Sequence, residues 1–251
     1  MQVYFVGAGP GNPELITVKG QRLLKEADVI IYAGSLVNPA LLELAKPSAA
    51  IYNSASMTLE EVADTMKQAV QAGQIVVRLH TGDPSIYGAI QEQMDLLDQA
   101  EITYEVVPGV SSFLATAAAL KQEYTLPDIS QTVIITRLEG RTPVPEKEKL
   151  ALLASHATTM CIFLSVHMLD DVVAELIAGG YTSDTPVAVV QKASWPDQRI
   201  FRGTLETIAR IVAEGGVDRT AMIVVGKVLD CSYSLSRLYA PEFGHMFRDA
   251  K

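Results

Sequence analysis

The stretch that decides the fold is Val3-Tyr-Phe-Val-Gly-Ala-Gly-Pro-Gly11, near the start of the chain. Its first four residues favour a buried β-strand, and the glycines behind them predict a tight loop at the end of that strand. Glycine permits a sharp turn and lets a ligand approach the backbone closely. We therefore expect a strand that carries a backbone-lined ligand loop, although a tight turn without a ligand has the same spacing.

A dinucleotide site is disfavoured at this loop. The dinucleotide fingerprint needs a glycine at position 12 and an acidic residue at the end of the second strand. The chain has Asn12, and its second strand ends in Tyr32-Ala-Gly34. In addition, Pro10 lacks the backbone N–H that a phosphate group would use.

Outward from this loop, apolar strands alternate with segments of helical periodicity, a rhythm typical of a parallel sheet covered by helices. In the first half we predict strands at 3–6, 28–32, 75–79 and 104–107, and helices at 17–27 (capped by Thr17), 40–45, 59–72 and 86–99. A helix over 112–120 forms the hinge to a second half, where the strands around Asp197 resemble an antiparallel hairpin. The prediction is two α/β domains with a cleft between them: residues 1–112 with a parallel sheet and residues 113–251 with a mixed sheet.

Composition excludes several classes of protein. The 251 residues include 20 Lys and Arg against 29 Asp and Glu, a formal net charge of −9, so the chain lacks the basic field of a nucleic-acid binder. No apolar run approaches the roughly 20 residues that span a bilayer. Two distant cysteines and four scattered histidines predict a cytoplasmic protein with neither a disulfide framework nor a metal site.

Two further strand ends carry glycine and small polar residues: Thr81-Gly-Asp83, and the run Pro108-Gly-Val-Ser-Ser112. Carboxyl ends of parallel strands meet at one edge of the sheet, where ligands of open α/β sheets bind. We therefore expect one continuous floor made by three loops. The alternatives are that Asp83 and Ser112 only cap the helices that follow them, and that His80 is a satisfied polar neighbour rather than a base.

The residues around these loops resemble a known family. Residues 6–20 (VGAGPGNPELITVKG) resemble the first signature of the tetrapyrrole methylases, which methylate uroporphyrinogen III and the precorrins with S-adenosylmethionine (SAM). Residues 76–109 resemble the second signature, through positions that include Gly82-Asp83 and Pro108-Gly109. Segments 136–146, 192–197 and 219–222 resemble the branch that methylates C11 of precorrin-4 in cobalamin synthesis.

This resemblance implies a homodimer that binds SAM between its two domains and releases S-adenosylhomocysteine. By motif position, the implied SAM contacts are Pro10, Thr81, Gly82, Asp83, Ile86, Ser111 and Ser112 in the first domain, and Ser165, Ala193, Ala221 and Met222 in the second. The uroporphyrinogen branch has an aspartate after the tyrosine that ends the second strand, where this chain has Ala33, or Gly34 if the loop is one residue longer. The catalytic group is therefore unassigned, with Tyr32 and His80 as candidates.

An acidic protein needs local cations to bind the acetate and propionate groups of a tetrapyrrole, since charge-assisted pairs with carboxylates are geometrically selective. The candidates are Arg137, Arg141, Lys192, Arg199 and Arg202, and the alternative for each is an ordinary solvated charge. Trp195 either covers the macrocycle or packs its own loop.

The sequence thus predicts a SAM-dependent methyltransferase that acts on C11 of precorrin-4 or of its cobalt complex. Alternatives within the family are another precorrin position, a diphthine synthase-like relative or a ribosomal-RNA methylase. Outside it, the alternatives are a nicotinamide-dependent oxidoreductase and a tetrapyrrole carrier without chemistry.

Overall fold

The structure is a computed structural model that describes residues 2–236, 238 and 240–249. The chain forms two compact units. The first runs to Thr116 and includes the segment Lys192–Gln198, and the second comprises Ala117–Gln191 and the chain from Arg199 onward. We predicted a single boundary after residue 112. These compact units divide within the helix Ser112–Leu120, and a segment from late in the chain, Lys192–Gln198, belongs to the first unit.

The first unit is built on a five-stranded parallel sheet in the order β3-β2-β4-β1-β5. In the register of this sheet, Val6 lies beside Leu79 on one side and beside Val107 on the other. The carboxyl ends of β1, β4 and β5 are therefore neighbours, as the sequence predicted. The strands are β1 (Val3–Gly7), β2 (Val29–Tyr32), β3 (Ala50–Asn53), β4 (Val76–His80) and β5 (Tyr104–Val107).

Four helices accompany this sheet: α1 (Val18–Glu26), α2 (Leu59–Gln71), α3 (Gln91–Asp98) and α4 (Ser112–Leu120). Thr17 caps α1 as predicted, because its Oγ accepts the Gly20 N–H at 3.1 Å. Alternate strand residues point to opposite faces of the sheet. Leu24 of α1 accordingly packs in one buried cluster with Val6, whereas Met66 of α2 packs in a second cluster with Phe5.

The second unit has a mixed sheet in the order β6-β7-β10-β8-β9. Strands β6 and β7 pair in parallel, and the other three pairings are antiparallel, including the predicted hairpin of β8 and β9. The strands are β6 (Val133–Arg137), β7 (Thr159–Phe163), β8 (Pro186–Gln191), β9 (Arg199–Thr204) and β10 (Ala221–Val225), with helices α5 (Leu150–Ala154), α6 (Leu169–Ala178) and α7 (Ile208–Glu214). The predicted fold class, two α/β domains with a parallel and a mixed sheet, is confirmed.

Three local predictions were wrong. The helix predicted over 86–99 begins only at Gln91, because the preceding loop holds Tyr87 and Ala89 at φ of 55° and 48°, outside the helical region. The helix predicted over 40–45 is a 3-10 turn, Pro39–Leu44. Strand β3 was missed, since all four of its residues are exposed and show no alternation of burial. Among the described residues, no helix is long and apolar enough to cross a membrane.

Candidate functional site

Three glycine loops touch each other through their backbones at the carboxyl edge of the first sheet. The Gly9 N–H donates to the Gly82 carbonyl at 3.2 Å, and the Gly82 N–H donates to the Gly9 carbonyl at 2.8 Å. A Cβ atom at Gly109 would lie 2.2 Å from the Gly82 oxygen and 2.8 Å from Cα of Gly7. No side chain fits at such distances, so glycine is required there. The three loops form one continuous floor of main-chain atoms.

The carboxylate of Asp83 links two of these loops through hydrogen bonds. Its Oδ1 accepts the Ser85 N–H at 2.8 Å, and its Oδ2 accepts the Gly109 N–H at 2.9 Å. Asp83 does not cap a helix that starts at Ile86, because α3 begins five residues later. A carboxylate has about four acceptor positions, so the half-buried Asp83 can still accept hydrogen bonds from a ligand.

The other residues predicted in the first unit lie along the same edge. Thr81 Oγ1 donates to the Leu36 carbonyl at 2.9 Å, and Ile86 is half-buried in the loop before α3. Ser112, predicted as the cap of α4, is the first residue of that helix. The buried Ser111 precedes it and accepts the Leu114 and Ala115 N–H groups through its carbonyl.

The buried Pro10 and its neighbours are held by residues that are distant in sequence. Trp195 Nε1 donates to the Pro10 carbonyl at 2.9 Å, and Ser194 Oγ accepts the Asn12 N–H at 3.0 Å. Asn38 Nδ2 donates to the Gly11 carbonyl at 2.8 Å. Sequence reasoning missed Asn38 entirely and left the role of Trp195 open, because no local pattern marks contacts over such separations.

Ala193 and Lys192 lie in the same segment, Lys192–Gln198, and therefore in the first unit rather than in the second domain as expected. Ala193 is buried. Lys192 forms an ion pair with Asp197, 2.5 Å between Nζ and Oδ2. Its charge is thus already partnered within the segment.

His80 is a poor candidate for a catalytic base. Its side chain is 3% exposed, and its Nε2 has no hydrogen-bond partner in the described part of the chain. Burial, and secondarily the charge of Arg78, lower the pKa of His80 to about 3, so the imidazole is neutral at physiological pH. Arg78 is itself buried and donates to Gln93 Oε1 at 3.0 Å and to the Ile31 carbonyl at 3.2 Å.

Tyr32 is half-buried at the end of β2, and its carbonyl accepts the Ser54 hydroxyl at 3.0 Å. Ala33 follows it, and the Ala33 N–H donates to the Leu79 carbonyl at 3.1 Å. This end of the strand therefore presents no carboxylate.

In the second unit, Ser165, Ala221 and Met222 lie at one edge of the mixed sheet. Ile223 is paired with Ile162 in antiparallel register, which puts the start of β10 beside the end of β7. The fully buried Ser165 hydroxyl donates to the Phe163 carbonyl at 2.7 Å and accepts the Leu138 N–H at 2.9 Å. Its side chain therefore fixes the neighbouring loop.

Three of the predicted substrate-binding arginines have partners within the second unit. Arg137 donates to the Thr142 and Pro143 carbonyls at 3.1 and 2.7 Å, so it organises its own loop. Arg199 donates to Gln191 Oε1 and to the Gly215 carbonyl, and Arg202 donates to the Leu120 carbonyl at 3.1 Å.

Arg141 differs from these. It is exposed in the loop after β6, and within the described residues it has no hydrogen bond or ion pair. Of the five predicted cations, its guanidinium is the one with all its donors available to a ligand.

The family model of the Tetrapyrrole (Corrin/Porphyrin) Methylases matches residues 2–209. A cobalt-precorrin-4 C(11)-methyltransferase of Methanocaldococcus jannaschii is 61% identical over 248 residues, which cover 98% of this chain and 96% of that protein. A solved cobalt-precorrin-4 methyltransferase, a cobalamin biosynthetic enzyme, has a TM-score of 0.90 at 50% identity and covers 92% of this chain and 96% of its own.

A second solved structure is the uroporphyrin-III C-methyltransferase of Thermus thermophilus in complex with S-adenosylhomocysteine. It has a TM-score of 0.76 at 30% identity, covering 92% of this chain and 94% of that one. The family model spans most of the sequence, and the agreement extends to the whole fold. The chain therefore belongs to the tetrapyrrole (corrin/porphyrin) methylases.

Proposed function

We propose that this chain is a SAM-dependent C-methyltransferase that methylates C11 of precorrin-4 or cobalt-precorrin-4 and so yields the corresponding precorrin-5 in cobalamin biosynthesis. One observation carries the choice of substrate. Identity is 61% to a cobalt-precorrin-4 C(11)-methyltransferase and 50% to a solved cobalt-precorrin-4 methyltransferase. It falls to 36% for a uroporphyrinogen-III C-methyltransferase and to 30% for the solved uroporphyrin-III C-methyltransferase. Another precorrin position is thereby the weaker alternative.

The residues of the first unit fit SAM better than a dinucleotide. The floor has no room for a Cβ at Gly7 or Gly109, and Gly82 has a φ of 60°, which favours glycine. The chain has neither a glycine at position 12 nor an acid at position 33, both of which a dinucleotide site needs. In the proposed site, SAM would be held by Pro10, Thr81, Gly82, Asp83, Ile86, Ser111, Ser112 and Ala193 of the first unit, and by Ser165, Ala221 and Met222 of the second. SAM supplies a methyl group on a positively charged sulfur, which leaves as a neutral thioether.

The chain's own residues have mainly a positioning task. A pyrrolic carbon is already activated by its ring nitrogen, and C11 becomes quaternary, so it has no proton to lose. Only the ring N–H proton must leave. This matches a site with Ala33 in place of an acid and with His80 buried and neutral. Alignment of the reacting atoms on a rigid support can contribute about 7–11 kcal/mol without a covalent intermediate.

Arg141 is the cation proposed to bind a carboxylate of the macrocycle. Its five donors are uncommitted in the described structure, and a guanidinium pairs with a carboxylate through two parallel hydrogen bonds. Arg137 supports this role indirectly, because it holds the carbonyls of Thr142 and Pro143 in the same loop.

The test is turnover of the purified chain with SAM labelled with ¹³C in its methyl group and with precorrin-4, metal-free or cobalt-loaded. We expect a product that gains one methyl group at C11 and loses the ring N–H proton, an equal amount of S-adenosylhomocysteine, and a new ¹³C methyl resonance from a carbon bonded to C11. A label at another carbon would reassign the position. Binding without transfer would indicate a carrier, and binding of NADH in a fluorescence titration would indicate an oxidoreductase.

We further propose a cytoplasmic homodimer that binds neither membranes nor nucleic acid. The family resemblance supports the dimer, the net charge of −9 opposes binding to phosphate backbones, and the free thiols Cys161 and Cys231 fit a reducing compartment. Light scattering of the purified chain measures the oligomeric state, and a mass equal to one chain would overturn the dimer.

A further inference from the structure

The lone tryptophan of the chain holds the first glycine loop. Trp195 belongs to the segment Lys192–Gln198, whose residues join the first unit. Its indole N–H donates to the Pro10 carbonyl at 2.9 Å, across 185 positions of sequence. The ring packs on the next residue, because a Cβ at Gly11 would lie 2.0 Å from indole Cδ1.

The loop from Gly9 to Asn12 is thereby fixed from two sides. Gly9 is tied to Gly82 by two backbone hydrogen bonds, on the side of the β4 loop. Trp195 and Ser194 bind the Pro10 carbonyl and the Asn12 N–H from the other side. Glycine-rich backbone has many accessible conformations, and ordering it opposes ligand binding. The segment therefore removes that disorder before a ligand arrives.

The indole itself is oriented by the rest of its segment. The Lys192 ammonium lies 5.8 Å from the ring centroid and pairs with Asp197. The Ser194 N–H donates to Gln198 Oε1 at 2.8 Å. Lys192 and Ser194 adopt φ of 50° and 71°, a region that residues other than glycine rarely occupy. Such strain persists only where surrounding contacts determine it.

We propose that Trp195 is a positioning residue for SAM, which acts through the Pro10–Gly11 peptide and not by contact with the reacting atoms. The inference rests on the proposed function, which places Pro10 in the SAM site. Trp195 is half-buried, so the emission of this single indole reports on its surroundings.

The experiment compares Trp195→Phe with Tyr104→Phe. The first variant keeps an aromatic ring and removes the donor to Pro10. The second removes one hydrogen bond, that of the Tyr104 hydroxyl to Asp98, from the opposite end of the same sheet. Calorimetry measures the affinity for S-adenosylhomocysteine, and tryptophan emission is recorded in the wild type during the same titration.

We expect Trp195→Phe to weaken binding about 2- to 12-fold, the factor that the loss of one hydrogen bond gives, and Tyr104→Phe to bind like the wild type. Wild-type emission should change and saturate at the calorimetric dissociation constant. Unchanged affinity in a folded Trp195→Phe overturns the inference. If that variant does not fold, wild-type emission that is unaffected by saturating ligand overturns it. Failure of the wild type to bind S-adenosylhomocysteine would overturn the proposed function instead.

Discussion

Acidification should destabilise this protein through His80. The imidazole is 3% exposed, and burial together with the charge of Arg78 lowers its pKa to about 3 in the folded chain. In the unfolded chain its pKa returns to about 6.5. Between these two values the unfolded state binds a proton that the folded state does not, so the free energy of unfolding falls as pH falls from about 6.5 toward 3. Above pH 6.5 both states are neutral, and His80 contributes no pH dependence.

The magnitude follows from these two pKa values. At pH 5, which is 1.5 pH units below the pKa of the unfolded chain, the unfolded imidazole is almost fully protonated. The folded imidazole is almost fully neutral at the same pH. At about 1.36 kcal/mol per unit, His80 alone lowers the free energy of unfolding by about 2 kcal/mol relative to pH 7.5. That is a large fraction of the stability of an ordinary domain.

Urea denaturation at pH 7.5 and pH 5 measures this effect in the wild type, in His80→Leu and in His156→Leu. His156 is exposed and serves as the matched control. Carboxylates such as Asp28 also titrate, but equally in all three proteins. We expect the wild type and His156→Leu to lose about 2 kcal/mol more than His80→Leu between the two pH values. Equal losses in all three would refute the description of His80 as buried and neutral.

Three further substitutions test the site. Asp83→Ala removes the acceptor of the Gly109 and Ser85 N–H groups, so the dissociation constant for S-adenosylhomocysteine in calorimetry should rise about tenfold or more. Arg141→Ala should weaken precorrin-4 binding about tenfold or more in an absorbance titration and leave S-adenosylhomocysteine binding unchanged. Gly109→Ala puts a Cβ 2.2 Å from the Gly82 oxygen, and urea denaturation should show a loss of about 1–3 kcal/mol or more.

Each of these variants has a matched control. Asp98→Ala removes the carboxylate at the end of α3 that accepts the Tyr104 hydroxyl, and Arg210→Ala removes an exposed guanidinium that pairs with Glu214. Gly140→Ala introduces a Cβ with ordinary contacts, the nearest atom being 3.4 Å away. An Asp83→Ala or Arg141→Ala protein that binds both ligands like its control would remove that residue from the proposed site. A Gly109→Ala protein as stable as Gly140→Ala would show that the three loops are not packed to backbone contact.

Some features of the first unit could be predicted from the sequence because they depend on local chemistry. The β-rich run of β1 and the glycines behind it required a strand that ends in a turn. The alternation of strands with helices required a parallel sheet, and parallel strands bring their carboxyl ends to one edge. Thr17 as the cap of α1 rests on a preference of the same local kind.

Other features could not be predicted, because they depend on spatial neighbours. Asp83 had the sequence context of a helix cap, yet its carboxylate binds the Gly109 N–H, which is adjacent only once β4 and β5 flank β1. The loop before α3 interrupts a good helical pattern, since Tyr87 and Ala89 adopt positive φ, which the residue types do not predict.

The amino-acid sequence by itself determined the two α/β domains, the three glycine loops and the membership of the methylase family, since strand and helix periodicity and motif spacing are properties of the chain order. Only the tertiary structure decided that Trp195, from a segment late in the chain, donates a hydrogen bond to the Pro10 carbonyl. It likewise decided that four of the five candidate cations already have partners and that the imidazole of His80 is neutral. The physical reason is that hydrogen-bond partners and desolvation depend on which residues lie within a few ångströms, and the linear sequence does not specify those distances.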